Sequence, residues 1–199
     1  MNVPWAKDYP IPKEMTGDYL QDVEDAFVAA TRRSVSAGCE YRTLLDNRSS
    51  VVDQSTYAVD FIEIHGAHGY LLSSFLSPLT NTRSDAYGGQ SFENRTRFLL
   101  RVVKAVRSAW GDRPLFVRLS ATDWAEGPEK DSEGKWLQWG IEQTVLLSGE
   151  LKKLGVDLVD VSSGGNWEAQ KIPIAPGYQV RAIAIRKKAN GVLTEGGGP

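Results

Sequence analysis

The two histidines of this 199-residue chain, His65 and His68, stand close together, and Tyr70 follows directly after them. A neutral imidazole donates one hydrogen bond, so two of them can polarise a carbonyl oxygen together. A tyrosine hydroxyl at the same place could supply a proton to a reacting carbon. Further along, Arg118 carries a guanidinium that stays charged at physiological pH and could balance electron density on an electron-accepting ring. Ser120, Asp123, Ser162, Ser163 and Gly164 are the other polar or small residues in comparable positions. Each has a plainer reading. His65 could be a satisfied structural histidine and Tyr70 ordinary loop packing. Arg118 could simply pair with Asp60 or Asp160. Gly88-Gly89 reads as a turn, and Ser162-Ser163 as a polar strand end. The H-x-x-H spacing is compatible with a metal, but the chain has no further histidine and no third ligand stands out.

What unites these residues is where the elements place them. Asp60-Phe-Ile-Glu-Ile-His65, Leu115-Phe-Val-Arg-Leu119 and Asp157-Leu-Val-Asp-Val161 are short apolar runs suited to buried parallel strands. His65, Arg118 and Ser162 lie at or just past their C-terminal ends. Helices are expected between them. Leu20, Val23, Phe27 and Ala30 recur at helical spacing from Asp18 to about Ala37, with Thr16 as cap and Gly38 as stop. Ser91 caps a second helix to about Trp110, with Phe92, Phe98, Leu99, Val102, Val103 and Val106 as its apolar stripe. A third runs from about Ile141 to Leu154, and a fourth is expected near 180–189. Residues 66–90, 125–139 and 162–178 read as loops. Strands alternating with helices indicate an α/β chain with a parallel sheet. Long polar loops after the strands favour a TIM (β/α)8 barrel, whose active sites sit on such loops. A doubly wound sheet shares the alternation, but the phosphate loop GxGxxG is absent.

Composition excludes several classes. Net charge is -2, which offers no general attraction to nucleic acid or to an anionic membrane. No apolar window is long enough to span a bilayer, and the N-terminus lacks the pattern of a signal peptide. The lone cysteine, Cys39, forms neither an internal disulfide nor a CxxC metal site, and fits a reducing, cytoplasmic setting.

Taken as one string, the motifs are specific. Glu63-Ile-His-Gly-Ala-His-Gly-Tyr-Leu-Leu72, Phe75-Leu-Ser-Pro-Leu79, Asn81-Thr-Arg-Ser-Asp-Ala-Tyr-Gly-Gly89 and Glu93-Asn-Arg95 resemble the Old Yellow Enzyme family. The likeness continues through Phe116-Val-Arg-Leu-Ser120, Asp160-Val-Ser-Ser-Gly-Gly165 and Pro176-Gly-Tyr-Gln179, covers most of residues 9–194, and is greatest to the two-histidine branch of NADPH dehydrogenases. The resemblance implies a TIM barrel with FMN at its C-terminal mouth and NAD(P)H as reductant. It implies an ene-reductase that acts on the activated C=C bond of a small enone-type substrate. His65 and His68 would then hold the substrate's carbonyl oxygen, Tyr70 would protonate the α-carbon, and Arg118 would contact the pyrimidine edge of the flavin.

The same resemblance marks departures. The three strands correspond to the fourth, fifth and sixth of eight. Residues 1–199 are therefore expected to form a single partial barrel domain, with Asn190-Gly-Val-Leu-Thr194 leading toward a seventh strand and residues 195–199 an aberrant or frayed tail. A truncated copy of this kind is expected to hold FMN weakly. A non-catalytic remnant, binding a partner through exposed sheet edges, and a metal-dependent TIM-barrel hydrolase are the alternatives. Residues 40–59 interrupt the usual direct passage from helix to strand and read as an insertion. Cys39-Glu40-Tyr41 can be encoded TGT GAG TAC, containing the splice donor GTGAGT, and Ala58-Val59 can be encoded GCA GTC, containing the acceptor CAG. Excision would leave a Phe codon and the continuous reading Ala-Gly-Phe-Asp-Phe-Ile-Glu-Ile-His. A translated intron is therefore expected there, and a tolerated surface loop is the alternative.

Overall fold

A computed structural model of the chain describes residues 11–36, 59–176, 178 and 193–196. The elements are α1 (Gly17–Ser36), β1 (Ile62–Gly66), α2 (Leu71–Leu76), α3 (Phe92–Trp110), β2 (Leu115–Ser120), α4 (Ile141–Lys153), β3 (Leu158–Ser162) and β4 (Leu193–Gly196). The strands form one parallel sheet in the order β1-β2-β3-β4. The expected insertion at 40–59 lies outside the described residues except for Val59, as does the helix expected near 180–189.

Alternation along the strands decides what the sheet does with its two faces. Leu115, Val117 and Leu119 on β2, Ile64 on β1, and Val159 and Val161 on β3 are buried in the core. They meet Phe98, Leu99, Val102, Val103, Val106 and Trp110 of α3, and Leu147 and Leu151 of α4. Each such side chain contributes about 1.5–3 kcal/mol of gross burial. The alternate positions, Glu63, His65, Phe116, Arg118, Leu158 and Asp160, point to the other face and stay partly or fully open among the described residues. Phe61 stacks on Phe116 there with ring centroids 4.7 Å apart and is itself 50 % exposed. The strands thus depart from the expected run buried on both faces. In a closed barrel this polar face would look inward and be covered by the strands opposite.

The helices begin and end where local chemistry requires. Ser91 Oγ accepts from the Asn94 N–H at 3.2 Å at the start of α3, and Gly111 closes its end by donating to the Arg107 carbonyl. α1 packs along α3, tied by the ion pair of Glu24 with Arg101 at 2.8 Å. On α1 the apolar stripe holds at Leu20, Val23 and Phe27, but Ala30 is exposed and Thr31 is buried in its place, donating to the Phe27 carbonyl at 2.9 Å.

Two elements exceed the sequence expectation. Within the stretch 66–90, expected as loop, Leu71–Leu76 forms a short helix because Leu72, Phe75 and Leu76 all bury against the core. β4 adds a fourth strand, pairing Leu158 with Leu193 and Val161 with Gly196, so the expected frayed stretch 195–199 starts inside the sheet. No helix among the described residues is long and apolar enough to cross a membrane.

Candidate active site

Parallel register brings the expected residues side by side. His65 of β1 pairs with Arg118 of β2, which pairs with Asp160 of β3. Side chains at paired positions point to the same face of a sheet, so all three stand on the open polar face, near the C-terminal rim.

The chain then turns sharply to bring back His68 and Tyr70. His68 takes φ 60°, in the left-handed region that a β-carbon disfavours by roughly 1–2 kcal/mol. Its N–H donates to Ser120 Oγ at 2.9 Å, and that hydroxyl donates to the Gly164 carbonyl at 2.7 Å, so the loop after β1, the end of β2 and the loop after β3 are stitched together. The two loops also touch backbone to backbone. A β-carbon on Gly69 would lie 2.0 Å from the Gly165 carbonyl oxygen, and one on Gly165 would lie 2.1 Å from the His68 carbonyl carbon. Only glycine fits this approach at either position.

The result is a compact cluster. The His65 and His68 rings meet edge to face with centroids 5.3 Å apart, and Tyr70 lies 5.2 Å from His65. His68 Nε2 is 2.5 Å from Ser162 Oγ, and the Ala67 N–H donates to His65 Nδ1 at 3.2 Å. Partial burial, followed by the Arg118 charge, lowers the pKa of His65 below its ordinary value, with Asp160 opposing. Burial, then His65, then Arg118 lower that of His68, again against Asp160. Both shifts favour the neutral ring, which has one N–H to donate. Glu63 on the same face is shifted upward by burial and by Asp160, against the pull of Arg118. Arg118 Nε lies 3.1 Å from Asp160 Oδ2, yet neither that nitrogen nor Asp160 Oδ1 makes an aligned hydrogen bond. The pair is close in charge but poorly directed. The guanidinium, 32 % exposed, keeps donors for something else.

A buried hub holds the rim in place. Asp123 accepts from Ser77 Oγ at 2.5 Å, the Trp139 N–H at 2.8 Å and Asn166 Nδ2 at 2.8 Å, joining the loops after β1, β2 and β3. Burial raises its pKa, and these three donors oppose the rise. Nearby, fully buried Arg95 donates to the Leu76 carbonyl and to Gln143 Oε1, with its pKa lowered by desolvation to about 10. A cleft of about 900 Å³ adjoins the cluster at Tyr70, between Met15, Leu79 and Trp167.

His65, His68 and Tyr70 thus gather at one rim with Arg118 in register beside His65, and the plainer pairing of Arg118 with Asp160 is present as well. Sequence reasoning treated Ser162 as a strand end and did not see Asp123 as a hub. It also missed the contact of Gly69 with Gly165, although glycine doublets after a strand were the available signal. Among the described residues no three His, Cys, Asp or Glu side chains gather as a metal site, so the hydrolase alternative finds no donor set there.

A parallel sheet with helices on one face and a polar rim at its strand ends defines part of a (β/α)8 barrel. Solved structures agree on the fold. Morphinone reductase matches with TM-score 0.62 at 24% identity over 96% of this chain and 42% of its own. The old yellow enzyme homologue of Zymomonas mobilis matches with TM-score 0.59 at 21% identity over 96% of this chain and 51% of its own. The chain belongs to the NADH:flavin oxidoreductase / NADH oxidase family, whose model matches residues 54–191. An NADH:flavin oxidoreductase of Gibberella zeae is 41% identical over 92% of this chain and 40% of the relative. An NADPH dehydrogenase of Halalkalibacterium halodurans is 41% identical over 93% and 47%. The chain therefore spans less than half the length of these relatives. The described residues fit one edge of a flavin. Arg118, 32 % exposed beside an open sheet face, would stabilise an electron-rich ring edge there.

Proposed function

We propose that the chain carries the substrate-oxygen clamp and one flavin-facing wall of an FMN-dependent NAD(P)H oxidoreductase that reduces activated C=C bonds of α,β-unsaturated carbonyls. The observation that carries this reading is the meeting of two imidazoles, a tyrosine and a partly free arginine at one rim. When bound, FMN supplies hydride, drawn from NAD(P)H, to the β-carbon of the alkene. His65 and His68 each donate one N–H to the carbonyl oxygen and so draw electron density from the β-carbon. Neutral rings suit the task, because they hold the oxygen without protonating it outright. Tyr70, exposed and with its ring 5.2 Å from that of His65, would deliver a proton to the α-carbon from its hydroxyl. Arg118 would hold the pyrimidine edge of the flavin and stabilise negative charge there. A nicotinamide carboxamide presents a similar oxygen acceptor to the same imidazoles, and a morphinone reductase structure holds tetrahydroNAD.

The test is anaerobic and has two steps. NADPH should bleach the visible flavin absorbance of the protein held with saturating FMN. Cyclohex-2-enone should then restore the colour, while cyclohexanone should not. Recolouring by enone no faster than with free FMN would contradict the proposal.

A further inference from the structure

We propose that Ser162, together with the backbone of Ala67, fixes opposite tautomers on the two imidazoles, so that His65 presents Nε2–H and His68 presents Nδ1–H to the bound ligand. The two contacts differ in kind. A backbone N–H only donates. The Ala67 N–H therefore requires a lone pair on His65 Nδ1, and the single proton of the neutral ring sits on Nε2. Ser162 Oγ can donate or accept, so its surroundings decide. Ser162 is 4 % exposed, and among the described residues the partner of its hydroxyl is His68 Nε2, 2.5 Å away. Were His68 to carry its proton on Nε2, the serine would accept and its own buried O–H would be stranded. The cost of a stranded buried donor corresponds to a preference of about tenfold or more for the alternative. Ser162 therefore donates, Nε2 accepts, and the proton of His68 sits on Nδ1.

This makes Ser162 a positioning residue that acts through His68. It does not touch substrate. It selects which nitrogen of the second imidazole is free to donate, and the N–H of Ala67 makes the complementary choice for the first. His68 is tethered for the purpose at both ends: its N–H donates to Ser120 and its ring meets Ser162, on two neighbouring strands. That the two N–H groups serve one substrate oxygen rests on the ene-reductase reading. The tautomers themselves do not.

With only two histidines in the chain, the experiment is direct. The full chain is labelled with 15N-histidine, and two-bond 1H–15N correlations are recorded at about pH 8, where both rings are neutral. A His65→Gln variant assigns the two ring systems. The expected spectrum shows one ring protonated at Nε2 (His65) and one at Nδ1 (His68). In Ser162→Ala the His68 ratio should move at least about fivefold toward Nε2–H while His65 stays unchanged. Ser162→Thr keeps the hydroxyl and should keep Nδ1–H, which guards against a variant that merely fails to fold. A wild-type His68 protonated at Nε2, or an Nδ1–H form that survives Ser162→Ala, overturns the assignment. Correct tautomers without enone turnover would instead sink the oxygen-clamp reading alone.

Discussion

Charge and geometry at single residues set how the cluster behaves. Arg118 lowers the pKa of both imidazoles, and Asp160 raises them. In Arg118→Met the cation is gone while burial and Asp160 remain, so both histidine pKa values should move up, though burial still holds them down; NMR titration of the ring protons reads the change. Unchanged or lower values would show that Arg118 does not face the pair. The backbone at Gly165 tests the loop contact separately. Gly165 has φ 103° and no space for a β-carbon against His68, whereas Gly111 has φ 73° and nothing within 4 Å. Gly111→Ala should therefore cost only the backbone part, about 1 kcal/mol. Gly165→Ala should cost at least ~2 kcal/mol more, because the His68 segment must shift. Urea unfolding of the two variants provides the comparison, and equal losses would contradict the close approach.

Elements hold these residues through hubs that no periodicity reveals. Asp123→Ala would leave the Ser77 hydroxyl, the Trp139 N–H and the Asn166 amide without their acceptor in a buried site. The expected loss is about 3–5 kcal/mol by thermal unfolding, and a loss under 1 kcal/mol would deny Asp123 its joining role. The longer elements were legible because their patterns repeat. α3 shows an apolar stripe over five turns, and β2 alternates after a turn at Gly111-Asp-Arg-Pro114. Six residues of α2 give less than two turns, set within a polar stretch, so no helical period could be read. Leu193-Thr-Glu-Gly of β4 lacks the β-branched run of its neighbours, and its pairing with β3 supplies what its composition does not. Strand-end logic was enough to bring His65, His68, Tyr70 and Arg118 to one rim. It could not show that Ser162, 94 residues from His68 in sequence, meets its ring.

At the scale of the whole molecule, the sheet has an apolar face sealed by α3 and α4 and an opposite face on which His65, Arg118 and Asp160 stand side by side. The stretch 40–59 stands apart from that plan, between α1 and β1, where connections in α/β chains are usually short. Complementary DNA should contain a spliced form with one Phe in place of Cys39–Val59, and protein made from it should melt at higher temperature. Transcripts that always retain the segment would dismiss the intron. The central claim is that His65 and His68 grip one oxygen while the flavin reduces the carbon conjugated to it. The most direct measurement is the rate at which cyclohex-2-enone restores flavin absorbance after reduction by NADPH, in wild type, His65→Ala, His68→Ala and the double variant. Each single variant should slow that step by on the order of 10²-fold, with the double variant slower by less than the product of the two, because both donors share one acceptor. Single variants within twofold of wild type would contradict the account.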